Sequence, residues 1–333
     1  MIFITGGTGL LGTRLICDLL KSGEKIRALK RKNSPIDSFL NITQFYALDQ
    51  KLLNNLEWIE GDINDTSSLD AMEGCTQVYH CAAAVSFLKK DRDLLFKINV
   101  EGTQNMVNAA LRWNIQKFCH VSSTAVLGES ISDGKITEES LWISADGRSN
   151  YAITKKAAEM EVWRAMEEGL NALIVNPSVI IGPGKADQSS ASLFSKVQKG
   201  LKYYTRGVNG FVDVRDVSAV MLQLMRSNIA NERFLVIGEN RSFKEVFDQI
   251  AVNLNLPKPS KEAKPWMAAI IWRVEALRSF LFGTEPLVSK ENSESAFKKT
   301  FYSNEKITKT LGHKFIPIDE AIKDSSAYYQ SVR

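Results

Sequence analysis

Several features that mark other classes of protein are scarce in this sequence. Its four cysteines show no C-x-x-C spacing, so we expect neither a disulfide framework nor a metal site, and a reducing compartment fits. No apolar run is long enough to span a membrane, and the net charge of +4 is too small to indicate nucleic acid as a partner. Because an apolar strand is predicted from residue 2, we expect no signal peptide. We therefore expect a globular cytoplasmic protein.

The chain begins with a short apolar run that leads directly into a glycine turn. Ile2 to Ile4 is followed by Gly6, Gly9 and Gly12, and a helical spacing of leucines starts at Leu10. Strand, glycine turn and helix in this order favour a bound diphosphate. Glycines let the backbone approach the phosphates, and the helix N-terminus offers free N–H groups. The spacing is G-x-x-G-x-x-G rather than the common G-x-G-x-x-G, and the alternative is a plain tight turn.

Two positions bear on the adenosine half of a dinucleotide. Arg31 follows the second predicted strand, where a carboxylate would bind the 2′-hydroxyl of NAD and a cation the 2′-phosphate of NADP. Since no carboxylate stands there, Arg31 predicts NADP, with NAD as second choice and a solvated basic turn as the alternative. Asp62 follows the third strand and either accepts from the adenine amino group or caps the next helix. The polar connector 33–56 forms either a short helix or a mobile flap.

Three side chains suited to proton transfer follow later strands. Ser123 follows the fifth predicted strand, Lys117 to Val121, and Tyr151 and Lys155 open the next helix on one face. A tyrosine has a pKa of about 10, which a nearby ammonium lowers towards working pH. Tyr151 could then exchange a proton with a substrate oxygen that Ser123 holds, while a nicotinamide supplies the hydride. A Tyr-x-x-x-Lys pair alone also occurs on surface helices. It indicates a catalytic site here because it follows a glycine turn and a serine at a strand end, in that order.

Two further segments fit the same site. Ala82 and Ala83 follow the fourth strand and leave room for a flat cofactor, or simply pack tightly. Asn99 lies within a long helical pattern, whose hydrogen-bond ladder its side chain can break locally.

The alternation of strands and helices up to Asn176 demands a parallel sheet with helices on both faces. The predicted fold class is therefore α/β, a Rossmann-like doubly wound parallel sheet with a small, mainly helical C-terminal substrate lobe. We predict a dinucleotide-binding domain over 1–176, to which 211–239 returns. The substrate-binding cap is predicted over 177–210 and 240–333, with one cap helix near Trp266–Phe282.

The sequence resembles the extended short-chain dehydrogenase/reductases over nearly the whole chain, and within them the dihydroflavonol-reductase-like and NAD-dependent epimerase/dehydratase members. Seven motifs carry this resemblance. They are Thr5-Gly-Gly-Thr-Gly-Leu-Leu-Gly12, Gly61-Asp62, His80-Cys-Ala-Ala83, Asn99-Val-Glu-Gly-Thr103, Val121-Ser-Ser123, Tyr151-x-x-x-Lys155 and Asn176-Pro-Ser-Val-Ile-Ile-Gly-Pro183. The resemblance implies a catalytic triad of Ser123, Tyr151 and Lys155. It implies that Asn99 orders a water-linked proton path to Lys155, and that Lys155 binds the nicotinamide ribose. Further implied cofactor contacts are Gly6, Thr8, Gly9, Leu10, Leu11, Asp62, Ile63, Ala82, Ala83, Pro177 and Val179.

Within this family, Arg31 and Asn176-Pro177 are similar to NADP-dependent carbonyl reductases of the dihydroflavonol-reductase and cinnamoyl-CoA-reductase types. The segment Pro265 to Pro286 resembles the cap helix of members that handle apolar substrates, although it also fits an amphipathic helix packed on its own lobe. The implied function is NADP-dependent reduction of a ketone or aldehyde on a mainly apolar small molecule.

Two rival functions stay open at this point. One is a nucleotide-sugar epimerase or dehydratase with tightly bound NAD. Many enzymes of that kind carry an arginine before the proline, where this chain has Asn176, and this difference counts against the alternative. The other is a dinucleotide-binding redox sensor without catalysis. A homodimer through the helices near 91–113 and 151–169 is also compatible with the resemblance, although these helices equally fit packing on the sheet.

Overall fold

The computed structural model describes residues 1–128, 134–186, 188–267, 270, 272–273 and 295–332. The strands are β1 (Ile2–Thr5), β2 (Ile26–Lys30), β3 (Leu56–Glu60), β4 (Gln77–His80), β5 (Lys117–Val121), β6 (Lys135–Ile136), β7 (Ala172–Pro177), β8 (Val179–Ile181), β9 (Tyr203–Tyr204), β10 (Val208–Asp213), β11 (Glu232–Val236), β12 (Glu239–Ser242), β13 (Lys261–Glu262) and β14 (Phe301–Tyr302). The helices are α1 (Leu10–Lys21), α2 (Asp37–Phe45), α3 (Arg92–Leu95), α4 (Gly102–Arg112), α5 (Asn150–Glu167), α6 (Ser192–Gln198), α7 (Val214–Arg226), α8 (Phe243–Asn253), α9 (Glu305–Leu311) and α10 (Ile318–Ser331).

The central sheet has seven strands in the order β11-β7-β5-β4-β1-β2-β3, and all its neighbours pair in parallel. The chain leaves β1 towards β3 and then returns to β4 on the other side of β1. This reversal opens a crevice at the carboxyl ends of β1 and β4, where doubly wound sheets bind their ligands. The predicted Rossmann-like fold is confirmed.

Alternate strand residues face two helical layers, as the side-chain period of a strand requires. Ile2 and Ile4 of β1 belong to one core cluster with α1 and α7, whereas Phe3 belongs to a second cluster with α4 and α5. In β7, Leu173 and Val175 belong to the first cluster, and Ala172 and Ile174 belong to the second. The strands are therefore apolar on both faces, which is why the sequence showed continuous apolar runs there.

The connector 33–56 contains α2 and a 3₁₀ helix over Gln50–Asn55, so the helical alternative is correct. Phe39 of α2 is buried and meets the ring of Trp58 edge-on at 5.2 Å between centroids. Tyr46 lies under the guanidinium of Arg14 at 4.6 Å. These contacts pack the connector on α1 and β3.

Beyond β7 the chain adds smaller sheets and a third core cluster. Strand β10 pairs with β8 and β12 in a separate three-stranded sheet, while β11 joins the central sheet. We predicted that the segment 211–239 returns to the dinucleotide-binding domain. Its β11 and α7 do pack with that domain, whereas its β10 does not enter the central sheet. Apolar side chains of α6, α8 and α10 form the third cluster. The predicted helix Trp266–Phe282 falls largely outside the described residues, and none of the helices in the described ranges is long and apolar enough to cross a membrane.

Candidate active site

The glycine turn occupies the crevice between β1 and β4. Gly6 has a φ of +72°, a left-handed conformation that residues with a side chain rarely adopt. A Cβ on Gly6 would lie 2.7 Å from the backbone nitrogen of Ala82, and one on Gly12 would lie 2.2 Å from the carbonyl oxygen of Gly6. Glycine at these two positions therefore allows α1 and the chain after β4 to approach β1 closely.

The N-terminus of α1 faces this turn without a side-chain cap. Gly9 is its N-cap residue, is exposed, and donates its own N–H to the Gly6 carbonyl at 3.0 Å. The first N–H groups of the helix therefore remain available, which suits a diphosphate. Thr8 and Leu10 are half-buried beside the turn, whereas Leu11 lies in the core, so that only its backbone can serve a ligand.

A cleft of about 730 Å³ opens at the carboxyl ends of β2 and β3, and Arg31 and Asp62 both line it. Arg31 is exposed, and its guanidinium has no ion-pair partner within the described ranges. Glu60 and Asp65 add two carboxylates to the lining, which sequence reasoning did not place there. The structure thus brings together the two residues predicted for the adenosine end, in a more acidic setting than the sequence indicated.

Asp62 is held in a local turn rather than at a helix end. Its Oδ1 accepts from the backbone N–H and the side-chain amide of Asn64 at 2.9 and 3.1 Å. The following 3₁₀ helix, Thr66–Met72, is capped by Asp65, which accepts from the N–H of Ser67 at 3.1 Å. Of the two roles predicted for Asp62, helix capping is therefore wrong. The side chain of Ile63 is buried, so its predicted adenine contact would come from its backbone.

Asn99 fixes the segment that follows β4. It lies in a π-helix, Phe96–Glu101, as expected of a residue that breaks the α-helical ladder. Its Oδ1 accepts from the N–H of Ala84 at 2.8 Å, and its Nδ2 donates to the Ala84 carbonyl at 3.0 Å and to Thr154 Oγ1 at 3.2 Å. The half-buried Ala82 and the exposed Ala83 are therefore held against α5. The water-linked path from Asn99 to Lys155 stays a prediction.

Ser123, Tyr151 and Lys155 lie together at the carboxyl end of β5. The Ser123 hydroxyl accepts from the N–H of Ala125 at 3.1 Å and interacts with the phenol of Tyr151. Lys155 is 2% exposed, and its Nζ donates to the Val121 carbonyl at 2.8 Å. This arrangement can hold a substrate oxygen and give or take its proton.

The electrostatics of this triad differ from the sequence-based expectation. Burial raises the pKa of Tyr151, and the interaction with Ser123 opposes this only in part. Burial also lowers the pKa of Lys155 to about 8, against the opposing effect of Glu159. The predicted lowering of the Tyr151 pKa by Lys155 is therefore wrong, because desolvation of the phenol is the largest effect on its pKa.

Pro177 and Val179 lie beside the triad. Pro177 ends β7 and is buried, and the half-buried Val179 begins β8. The Nδ2 of Asn176, the residue before Pro177, donates to the Ser123 carbonyl at 3.1 Å, which places the end of β7 next to Ser123. No group of three or more His, Cys, Asp or Glu side chains suited to a metal ion occurs in the part of the chain that the structure describes.

Sequence reasoning missed two residues near the triad. Glu159 is fully buried and lies one helical turn beyond Lys155, and the ring of Phe87 lies 5.7 Å from that of Tyr151. A carboxylate spaced four residues after Lys155 was a visible signal for the first. Phe87 had none, because its contact with Tyr151 depends on how Asn99 holds the segment after β4.

Comparison with known proteins shows which family the chain resembles. Residues 2–238 match the model of the NAD-dependent epimerase/dehydratase family. A putative dihydroflavonol 4-reductase of Synechocystis is 29% identical over 99% of this chain and 94% of its own length. Sterol demethylase protein B of Methylococcus capsulatus is 31% identical over 79% of this chain and 77% of its own.

Solved structures extend the likeness to the whole fold. The crystal structure of gox2253 superposes with a TM-score of 0.80 and 27% identity, covering 100% of this chain and 98% of that one. The Bordetella bronchiseptica enzyme WbmG, solved in complex with NAD, gives a TM-score of 0.76 at 20% identity, over 99% and 94% of the two chains. With its glycine turn, its triad and these relatives, the chain belongs to the NAD-dependent epimerase/dehydratase family of extended short-chain dehydrogenase/reductases.

Proposed function

We propose that the protein is an NADP-dependent oxidoreductase that reduces a ketone or aldehyde on a mainly apolar small molecule, in the manner of a dihydroflavonol reductase. The observation that carries this proposal is the meeting of Ser123, Tyr151 and Lys155 at the sheet edge beside the glycine turn. A protein that only bound a dinucleotide as a redox sensor would have no need of a buried lysine at the same strand end as a tyrosine and a serine.

The chain offers a contact for each part of the cofactor. The glycine turn and the N-terminus of α1 would hold the diphosphate, Arg31 the 2′-phosphate, and Asp62 the adenine. Lys155 would hold the nicotinamide ribose, with Ala82, Ala83, Pro177 and Val179 beside the ring. When bound, the dinucleotide supplies the hydride that the carbonyl carbon accepts.

The chain's own residues supply the proton. Because burial raises the pKa of Tyr151, its phenol stays protonated near neutral pH and can donate to a carbonyl oxygen. Ser123 would orient that oxygen by hydrogen bond, and Lys155, protonated below its pKa of about 8, would stabilise the phenolate left behind. Hydride on carbon and proton on oxygen together give the alcohol.

An apolar substrate is favoured by the wall beside Tyr151. Residues 83, 85 and 87 are exposed, while 84, 86 and 88 turn inwards, so the segment presents one face. Val85 is 46% exposed and Phe87 is 36% exposed on that face. Relatives named sterol demethylase protein B and 3-beta-hydroxysteroid dehydrogenase suggest cyclic apolar ketones as the first substrates to try.

The preference for NADP rests on Arg31 alone and competes with the carboxylate of Glu60 in the same cleft. Glu60 would favour the 2′-hydroxyl of NAD, and this supports the rival proposal of an epimerase or dehydratase with tightly bound NAD. Against the rival, Asn176 stands where many nucleotide-sugar epimerases carry an arginine, and its amide donates to Glu159 rather than towards a ligand.

We further propose a homodimer, a cytoplasmic location, and the division into domains at 1–176 and 177–210 with 240–333. Exposed apolar side chains on α3, the π-helix and α5 support the dimer: Leu94 (51%), Phe96 (49%), Ile153 (37%) and Met160 (51%). Size-exclusion chromatography with light scattering tests it, and a monomer at all concentrations would refute it.

The function is tested with purified protein, NADPH and a panel of cyclic ketones, aromatic aldehydes and a UDP-sugar. Consumption of NADPH with an apolar carbonyl, matched by formation of its alcohol, is the expected result. Interconversion of the UDP-sugar without net cofactor consumption would replace the proposal by the epimerase. Binding of NADPH with no turnover of any panel member would favour the redox sensor.

A further inference from the structure

We propose that Glu159 is a positioning residue of the active site, which holds α5 against the ends of β5 and β7 and keeps Lys155 charged. This proposal rests on dinucleotide binding by the proposed site, but not on the identity of the carbonyl substrate. Glu159 does not touch the reacting atoms, and it acts through Ser123 and Lys155.

The side chain of Glu159 is fully buried and accepts four hydrogen bonds. Its Oε2 accepts from Ser122 Oγ at 2.7 Å and from Asn176 Nδ2 at 2.9 Å. Its Oε1 accepts from Arg233 Nη1 at 3.0 Å and from Trp163 Nε1 at 3.4 Å. The donors come from the ends of β5 and β7, from β11 and from α5 itself, so one carboxylate joins four elements of the fold.

The same network reaches Ser123. Besides Glu159, the Nδ2 of Asn176 donates to the carbonyl oxygen of Ser123 at 3.1 Å. Ser122, the other donor to Oε2, immediately precedes Ser123 in the chain. Because Tyr151 and Glu159 lie on the same helix, these bonds fix the distance between the Ser123 hydroxyl and the Tyr151 phenol. Loss of the carboxylate should therefore loosen the catalytic pair itself.

Glu159 also provides the charge that opposes the desolvation of Lys155. The described titratable groups that interact with Lys155 are Glu159 on its own helix, Cys81 after β4, His80 of β4 and His120 of β5. Burial lowers the pKa of His80 to about 3 and that of His120 well below its usual value, and raises the pKa of Cys81 to about 12. Both imidazoles and the thiol are thus neutral at pH 7, which leaves the carboxylate of Glu159 as the counter-charge.

Arg233 competes with Lys155 for this carboxylate. Its guanidinium forms an ion pair with Glu159 at 3.0 Å and also donates to the backbone carbonyl of Glu138. Lys156, half-buried on α5, interacts with both Glu159 and Arg233. Removing Glu159 should make Lys155 lose its proton at lower pH, whereas removing the positive charge of Arg233 should have the opposite effect. A residue that only supported the fold would not produce opposite shifts.

The test is the pH dependence of dinucleotide binding by the full-length protein, followed by fluorescence. The probe is whichever of NADPH and NADH the wild type binds more tightly, so the test needs no carbonyl substrate. Wild-type affinity should weaken as the pH rises through about 8, since the ammonium of Lys155 is then lost. Glu159→Gln should move this transition down by about one pH unit, and Arg233→Met should move it up.

Two further variants separate charge from position. Glu159→Asp keeps the charge on a shorter arm, so the pH transition should stay near that of the wild type while kcat falls with little change in KM. Trp163→Phe removes only the longest of the four hydrogen bonds and should leave both unchanged.

Equal or same-direction shifts in Glu159→Gln and Arg233→Met would overturn the proposal. If Glu159→Gln does not fold, the proposal would be overturned by an Arg233→Met variant whose dinucleotide affinity weakens at the same pH as that of the wild type. A wild type that binds neither dinucleotide would instead refute the proposed function.

Discussion

The two ends of the candidate cofactor cleft differ in how deeply their side chains are buried and in how many hydrogen bonds hold them. At the catalytic end, Lys155, Asn99 and Glu159 are 2%, 1% and 0% exposed, and each is held by hydrogen bonds. At the adenosine end, Arg31 is exposed and lacks an ion pair in the described ranges, in an open cleft of about 730 Å³. Proton transfer depends on fixed distances in a dry site, whereas a phosphate can be recognised by one reachable cation.

This difference predicts where the molecule tolerates change. A substitution at the catalytic end disturbs buried groups that several elements share, so it should alter both activity and stability. A substitution at the adenosine end should alter cofactor preference and little else.

The largest effect is expected from Tyr151→Phe. Loss of the proton donor should lower kcat by about 10³-fold while dinucleotide affinity changes by less than about threefold. Steady-state kinetics and a fluorescence titration measure the two quantities. Phe87→Leu, which alters the neighbouring ring but keeps the phenol, is the matched control and should retain most of the rate on small carbonyls. Turnover that persists in Tyr151→Phe would remove the catalytic role from this residue.

Lys155→Met should abolish cofactor-dependent activity but make the fold more stable. Burial lowers the pKa of Lys155 from 10.5 to about 8, so the unfolded chain binds this proton more tightly than the folded one. The folded state bears the cost of the buried ammonium below pH 8, and that cost disappears as the pH rises to 10.5. The free energy of unfolding should therefore increase by about 1–3 kcal/mol at pH 7.

Urea denaturation of both proteins between pH 7 and pH 10.5 measures this gain, which should shrink with rising pH. Lys156→Met, at the half-buried neighbouring position, should show a smaller gain. A destabilised Lys155→Met variant would mean that the buried ammonium contributes to the stability of the fold instead of lowering it.

Arg31→Ala should weaken NADPH binding by about tenfold and leave NADH binding unchanged, because only NADPH carries the phosphate that the guanidinium meets. Arg31→Lys keeps the charge but loses the planar fork, so its affinity should lie between the two. Glu60→Gln should move the preference further towards NADPH. An equal loss for both cofactors in Arg31→Ala would make Arg31 a general contact rather than a phosphate reader.

The smallest effect is expected on stability at the adenosine end. Arg31→Ala removes an exposed side chain without an ion pair in the described ranges, so the free energy of unfolding should change by less than about 0.5 kcal/mol. Thermal unfolding of the dinucleotide-free protein measures it. A larger loss would show that Arg31 also supports the fold, and the comparison between the ends would fail.

Much of the fold followed from the sequence because parallel strands buried on both faces leave continuous apolar runs. Strand β5 begins and ends as predicted, and the strand carrying Ile2 extends only one residue further, to Thr5. The capping role of Asp62 was misassigned because Asp65 offers the same residue type three positions later. Local pattern does not distinguish two such carboxylates.

The features that could not be predicted from the sequence are those that depend on how the elements pack together. The place of β10 in a separate sheet depends on its pairing with β8 and β12, which no local pattern encodes. The direction of the Tyr151 pKa depends on how much water the fold removes from the phenol, and the spacing of Tyr151 and Lys155 says nothing about that. The hydrogen bonds of Glu159 likewise join residues that are far apart in the chain.

The most direct test of the account is a titration of the wild-type protein with NADPH and with NADH, after any copurified nucleotide has been identified and removed. We expect that no NAD is retained and that NADPH binds at least about tenfold more tightly than NADH. Retained NAD, or tighter binding of NADH, would contradict the role of Arg31 and give first place to the epimerase.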